Sequence, residues 1–125
     1  MSWLVMTAAG VAASTCAGVL YELVRARRLG RAAERGDVLE LEGSIVGRLR
    51  YCHPPGGMLR IDGRRLSWLN APGGIEYPVP LGGLRFVRSR ADGAWAVAEC
   101  VDGDEVVEIR CRAYALRHVR AVLEH

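Results

Sequence analysis

A thiol and an imidazole adjoin only once in this 125-residue chain, in the run Cys52-His53-Pro54-Pro55. Successive side chains point to opposite faces of a strand, and no further ligand stands at the spacing that zinc or redox sites use. The run therefore reads as a loop cysteine beside an exposed histidine. Cys16, Cys100 and Cys111 have no partner at that spacing: Cys16 falls in an apolar stretch, and the other two fit as reduced thiols in core strands. His118 falls in a C-terminal helical pattern, and His125 is the last residue. With no phosphate-cradling glycine motif and no nucleophile elbow, nothing assembles a nucleophile, a base and an oxyanion site. The expectation is a non-enzymatic protein with no catalytic residue, no metal site and no cofactor.

Arginine carries the remaining chemistry, since all 17 basic residues are Arg. The net charge of +3 is local. Residues 1 to 36 hold five Arg against two Glu, whereas residues 37 to 125 hold twelve Arg against twelve Asp and Glu. A neutral domain lacks the basic surplus that phosphate-backbone binding needs, which argues against nucleic acid. Within it, residues 43 to 90 are basic, with eight Arg against Asp62 and Glu76. Arg48, Arg50, Arg60, Arg64 and Arg65 are the candidates for contact with an anionic lipid headgroup, against the plainer reading of a solvated strand face balanced by acids on its neighbours.

The elements that position these residues begin with an apolar segment. Trp3 to Tyr21 is uncharged throughout, long enough for a helix of about 28 Å, and has aromatic rings at both ends. No charge precedes it, while Arg25, Arg27, Arg28, Arg31 and Arg35 follow. Basic flanks stay in the cytoplasm, and a cleaved signal peptide carries its charge before the apolar run. Residues 1–24 are thus expected to be a transmembrane helix in the cell membrane, amino terminus outside. Residues 25–36 form an arginine-rich juxtamembrane segment on the lipid surface. Gly10, Ser14 and Gly18 recur every four residues, a spacing that lets a second helix approach closely, either another membrane protein or a second copy.

From Asp37 the pattern changes to alternation: Leu39 and Leu41 with Glu40 and Glu42, Leu49 and Tyr51 with Arg48 and Arg50, Leu59 and Ile61 with Arg60 and Asp62. Asp62-Gly63 reads as a two-residue hairpin link, and further breaks fall at His53 to Gly57, Ala71 to Gly74, Asp92-Gly93 and Asp102 to Asp104. Six to eight short strands follow. Ala113 to His125 then closes the chain as an amphipathic helix, with Ala115, Leu116, Val119, Val122 and Leu123 on one face and Arg117, Arg120 and Glu124 on the other.

The runs GGMLRIDGRRLSWLN and IEYPVPLGGLRFV, short antiparallel strands closed by a C-terminal helix, resemble pleckstrin-homology-like domains. With the N-terminal helix, the chain is similar to an uncharacterised actinobacterial membrane family called domain of unknown function 2550. That resemblance implies a mainly β fold with α, in which residues 37–125 form a cytoplasmic pleckstrin-homology-like antiparallel β barrel or sandwich with a C-terminal capping helix. It implies no activity. The function expected from the whole is a membrane-anchored binding or scaffolding module for a protein, peptide or lipid headgroup at the inner leaflet. The alternative is an accessory subunit held in a membrane complex through its anchor.

Overall fold

The computed structural model describes the backbone from Ser2 to Glu124 and the side chains from Gly18 to Glu124. Helix α1 (Ser2–Glu34) leads into strands β1 (Leu39–Val46), β2 (His53–Asp62), β3 (Arg65–Leu69), β4 (Glu76–Val79), β5 (Leu84–Asp92), β6 (Trp95–Asp102) and β7 (Glu105–Arg112), and helix α2 (Leu116–Leu123) follows. Single 3-10 turns stand at Leu81–Gly83 and Ala113–Ala115. The strands form one antiparallel sheet in the order β4-β3-β2-β1-β7-β6-β5.

Both edges of that sheet are joined by Pro80 to Gly83 alone. Laid flat, seven strands would put β4 and β5 about 29 Å apart at ~4.8 Å per strand. The five residue steps from Val79 to Leu84 reach at most about 18 Å. The sheet must therefore curl, and its two halves bury one core: Leu59, Leu66 and Val79 from one half, Leu84, Cys100 and Val107 from the other. Val119, Val122 and Leu123 of α2 close that core.

Local sequence explains the turns. β2–β3, β5–β6 and β6–β7 are each joined by two residues, with Asp62 paired to Arg65, Asp92 to Trp95 and Asp102 to Glu105. Gly63, Gly93 and Gly103 take the first central position with φ of 60, 63 and 61°. The second central residue keeps negative φ, so the link is Gly-X of the type II′ kind, not Asp-Gly with both residues positive. Helix α1 ends where Gly36, at φ 74°, donates to Ala33 O and Asp37 donates to Ala32 O, the paired bonds of a Schellman stop.

The expected fold needs correction in two respects. Among the described residues no helix is long and apolar enough to cross a membrane, so the transmembrane helix expected over residues 1–24 is not found. From Glu22 through Arg31 the described part of α1 carries charges that a bilayer interior resists, and Leu29, Ala32 and Ala33 pack on the sheet core instead. The apolar stretch before Gly18 lies outside the residues whose side chains are described. Secondly, the expected mainly β fold is one continuous, curled antiparallel sheet with two edges, β4 and β5, whose halves face each other across the core as in a sandwich, and not a closed barrel.

Smaller expectations also shift. Leu49 and Tyr51 alternate with arginines yet lie in an irregular loop, because β1 stops at Val46. His53 to Gly57, expected as a break, opens β2. The ladder with β1 passes from Gly57 to His53 and skips Pro54 to Gly56, where prolines without N–H groups are tolerated. Gly57 is needed for close approach, since a Cβ there would stand 2.4 Å from Leu69 O and 2.7 Å from the Trp68 ring. Arg120, assigned to the free face of α2, lies with its guanidinium 5.0 Å from the Phe86 ring centre.

Two matched pairs test this packing by urea unfolding. Gly57→Ala should cost about 1–3 kcal/mol through overpacking, while Gly56→Ala, with open space around its Cβ position, should stay within about 0.5 kcal/mol. Leu123→Ala should cost about 2–4 kcal/mol, against under about 0.5 kcal/mol for exposed Arg117→Ala.

Candidate functional site

The five arginines singled out by sequence do not converge. Arg48 and Arg50 are exposed in the loop before β2, whereas Arg64 and Arg65 are exposed at its far end. β2 has ten residues, which separates the two groups by about 30 Å at ~3.3 Å per residue. Arg60 lies between them, half-buried, with Nη1 donating to Glu76 Oε2 at 3.4 Å. Arg64 and Arg65 do adjoin, beside a groove of about 430 Å³ with Leu66, Pro78 and Val79 in its wall.

Groups that look reactive in the sequence are occupied structurally. Cys52 is half-buried, its thiol pushed up by burial, and its amide donates to Leu49 O at 3.0 Å. The His53 ring turns to other partners: it stacks on Trp68 at 4.4 Å and 8° and leans on Tyr77 at 4.5 Å, with Nδ1 3.0 Å from Tyr51 O. Tyr51 donates its hydroxyl to Asp102 Oδ2 at 2.8 Å, and burial followed by that bond raises its pKa. Burial lifts the Cys100 and Cys111 thiols to about 11. These side chains tie the loop before β2 to the ends of β3, β4 and β6. Among the described residues no group of three or more His, Cys, Asp or Glu could hold a metal ion.

The feature that sequence reasoning missed is the seam between α1 and the sheet. β7 pairs with β1 only over Gly43 to Val46, leaving the first half of β1 with a partner on the β2 side alone. Helix α1 and the turn at Ala113 fill the gap: Leu29, Ala32, Ala33 and Tyr114 pack against the core there. Arg112 donates to Glu22 of α1 and holds its guanidinium 5.0 Å from the Trp95 ring centre. Ala113 N donates to Ala94 O at 2.8 Å, tying the β5–β6 hairpin to the same seam. The signal for this latch was Glu22, the one acid between the apolar run and the arginines; its partner is ninety residues away and invisible to local pattern.

Beyond the latch, α1 changes character. Val19, Leu20, Tyr21, Leu23 and Val24 are exposed, and a groove of about 550 Å³ runs between this stretch, Ala94 and Tyr114. Arg25, Arg27, Arg28, Arg31 and Arg35 are also exposed, with Arg25 5.6 Å from the Tyr21 ring centre and Arg35 paired to Asp37 at 2.9 Å. Of the small-residue row, Gly18 is exposed with open space around its Cβ position; Gly10 and Ser14 lie outside the described side chains.

A third groove, of about 440 Å³, separates the end of α1 from α2 and the β2–β3 hairpin, and brings Asp37, Arg64 and His118 together over Leu39, Ile61 and Val122. Burial, then the Arg117 guanidinium, holds the His118 pKa below its ordinary 6.5. The unfolded chain therefore takes up this proton first, and stability should fall as pH drops through and below 6.5. Glu99, held low first by its hydrogen bond from Arg88, acts in the same direction only in the carboxylate range. Urea midpoints between about pH 8 and about pH 5 should fall toward acid, and His118→Gln should flatten that slope.

No family model, curated protein or solved structure matches this chain, so the meaning of the seam rests on its own geometry.

Proposed function

We propose that this chain is a non-catalytic binding module tethered to a membrane through its apolar N-terminal segment, with the sheet domain on the cytoplasmic side. The observation that carries this reading is the continuity of α1. One helix holds the apolar sequence, the five exposed arginines and, through Glu22 and Leu29, the attachment to the sheet. Only Val38 lies between the Schellman stop at Gly36 and Asp37 and the start of β1, so the tether enters the domain without slack.

The bound partner is a protein or peptide rather than a lipid headgroup. Arg64 shares a groove with Gly36, about 18 Å along the helix from Val24 at ~1.5 Å per residue. That places the paired arginines away from the apolar end and beside a groove with an apolar wall, suited to a segment carrying both an acid and a hydrophobic side chain. The second reading, an accessory subunit associating through the Gly10, Ser14 and Gly18 row, is favoured by the open face of Gly18.

Affinity purification from membranes separates the two. Exchanging residues 1–21 for an unrelated apolar anchor should leave the co-purifying proteins unchanged, and Arg64→Glu with Arg65→Glu should remove them. Loss on anchor exchange alone would transfer the argument to the accessory-subunit reading.

A further inference from the structure

We infer that the β5–β6 hairpin, Asp92-Gly93-Ala94-Trp95, is a second membrane contact that sets the orientation of the sheet against the bilayer; this rests on the tethered reading above. Two independent features lead to it. The first is the shape of the exposed apolar surface on α1. At 100° per residue, Val19, Leu20, Tyr21, Leu23 and Val24 sweep about 200° of the helix circumference, and the remaining side, with Glu22 and Ala26, faces the domain. A partner helix covers a stripe of roughly 100°. Lipid covers the whole arc at once, and the arginines that begin at Arg25 supply the charge that anionic headgroups complement.

The second feature is the hairpin beside that arc. Ala94 lines the same groove as Gly18, Val19 and Leu23, so the tip stands at the level where the apolar exposure of the helix gives way to arginines. Of the three Gly-X hairpins, Gly63-Arg64 and Gly103-Asp104 carry a charge at the tip, and Gly93-Ala94 does not. Asp92 is paired with Arg110 at 3.4 Å, while Arg112, bonded to Glu22 and lying over the Trp95 ring, stands just behind. β6 then runs about 23 Å away, at ~3.3 Å per residue, to an end where Asp102, Asp104 and Glu105 stand beside the loop that carries exposed Arg48 and Arg50. The end with the uncharged tip, beside the exposed arginines of α1, is the one presented to an anionic bilayer.

The test uses the full chain in vesicles of phosphatidylcholine and phosphatidylglycerol. With Cys16→Ser and Cys52→Ser in place, an environment-sensitive fluorophore is attached through Ala94→Cys or, as the control, Asp104→Cys; Cys100 and Cys111 are buried. A lipid spin-labelled at the headgroup should quench the probe at position 94 several-fold more than the probe at 104. In the unsubstituted chain, amides of Gly93, Ala94 and Trp95 should exchange more slowly in vesicles than in detergent, which gives the same reading without relying on the variants. Equal quenching at the two positions, or none at 94 in vesicles that float with the protein, overturns the hairpin contact and leaves the tether standing. A chain that fails to float with the vesicles overturns the tether as well. A probe at 94 shielded only at high protein concentration, with or without lipid, assigns the groove to a second copy of the chain and overturns the inference.

Discussion

Four residues, Pro80 to Gly83, carry the chain from one edge of a seven-stranded sheet to the other, and much of the molecule follows from that short reach. A flat sheet would hold β4 and β5 too far apart, so the sheet curls and the apolar faces of its halves meet in one core. The edges that approach each other still carry unpaired backbone groups. β4 is short and contains Pro78; β5 is bulged between Phe86 and Arg88 and carries Arg85, Arg88 and Arg90. Each device discourages a foreign strand from extending the sheet.

Curling also governs how β1 meets β7. Their ladder covers four residue pairs and then ends, exposing one side of Leu39 to Glu42 to whatever packs beside it. Helix α1 occupies that place. Its charges and its small residues are arranged for docking rather than for solvent alone: Ala32 and Ala33 pack against the core, and Glu22 reaches Arg112. Gly30 has the end of the Arg117 side chain 2.9 Å from where a Cβ would stand, so a larger residue there would have to displace it. The helix that reads in the sequence as a separate segment is part of the domain's own closure.

The polar residues near the start of β2 illustrate a related economy. Tyr51, Cys52 and His53 adjoin in sequence, yet each side chain has a different neighbour: Asp102 for the phenol, the region of Gly47 for the thiol, Trp68 and Tyr77 for the imidazole. The Trp68 indole N–H is buried without a hydrogen-bond partner, showing that this corner is filled for packing at some polar cost. Ring stacking, the phenol–carboxylate bond and the Cys52 amide bond to Leu49 O hold the loop, and burial pushes the Cys52 thiol pKa up.

Local pattern alone determined much of the secondary structure. Alternation along β1, β2 and β7, glycines at the three hairpins, and the apolar face of α2 at Val119, Val122 and Leu123 are all short-range signals, set by side-chain periods of two and about 3.6. Sequence also placed the apolar run and its trailing arginines side by side. Tertiary structure decided the rest. Leu49 and Tyr51 alternate like a strand but have no ladder to join, and Gly57 looks like a turn residue but lies in a strand because Trp68 crosses it. The five candidate arginines separate because ten residues of β2 stand between them. The pairing of Glu22 with Arg112, ninety positions apart, and the approach of Ala94 to Gly18 exist only once the sheet has curled and α1 has filled the gap beside β1. Such contacts depend on which surfaces meet after closure, and no local spacing of residue types encodes that.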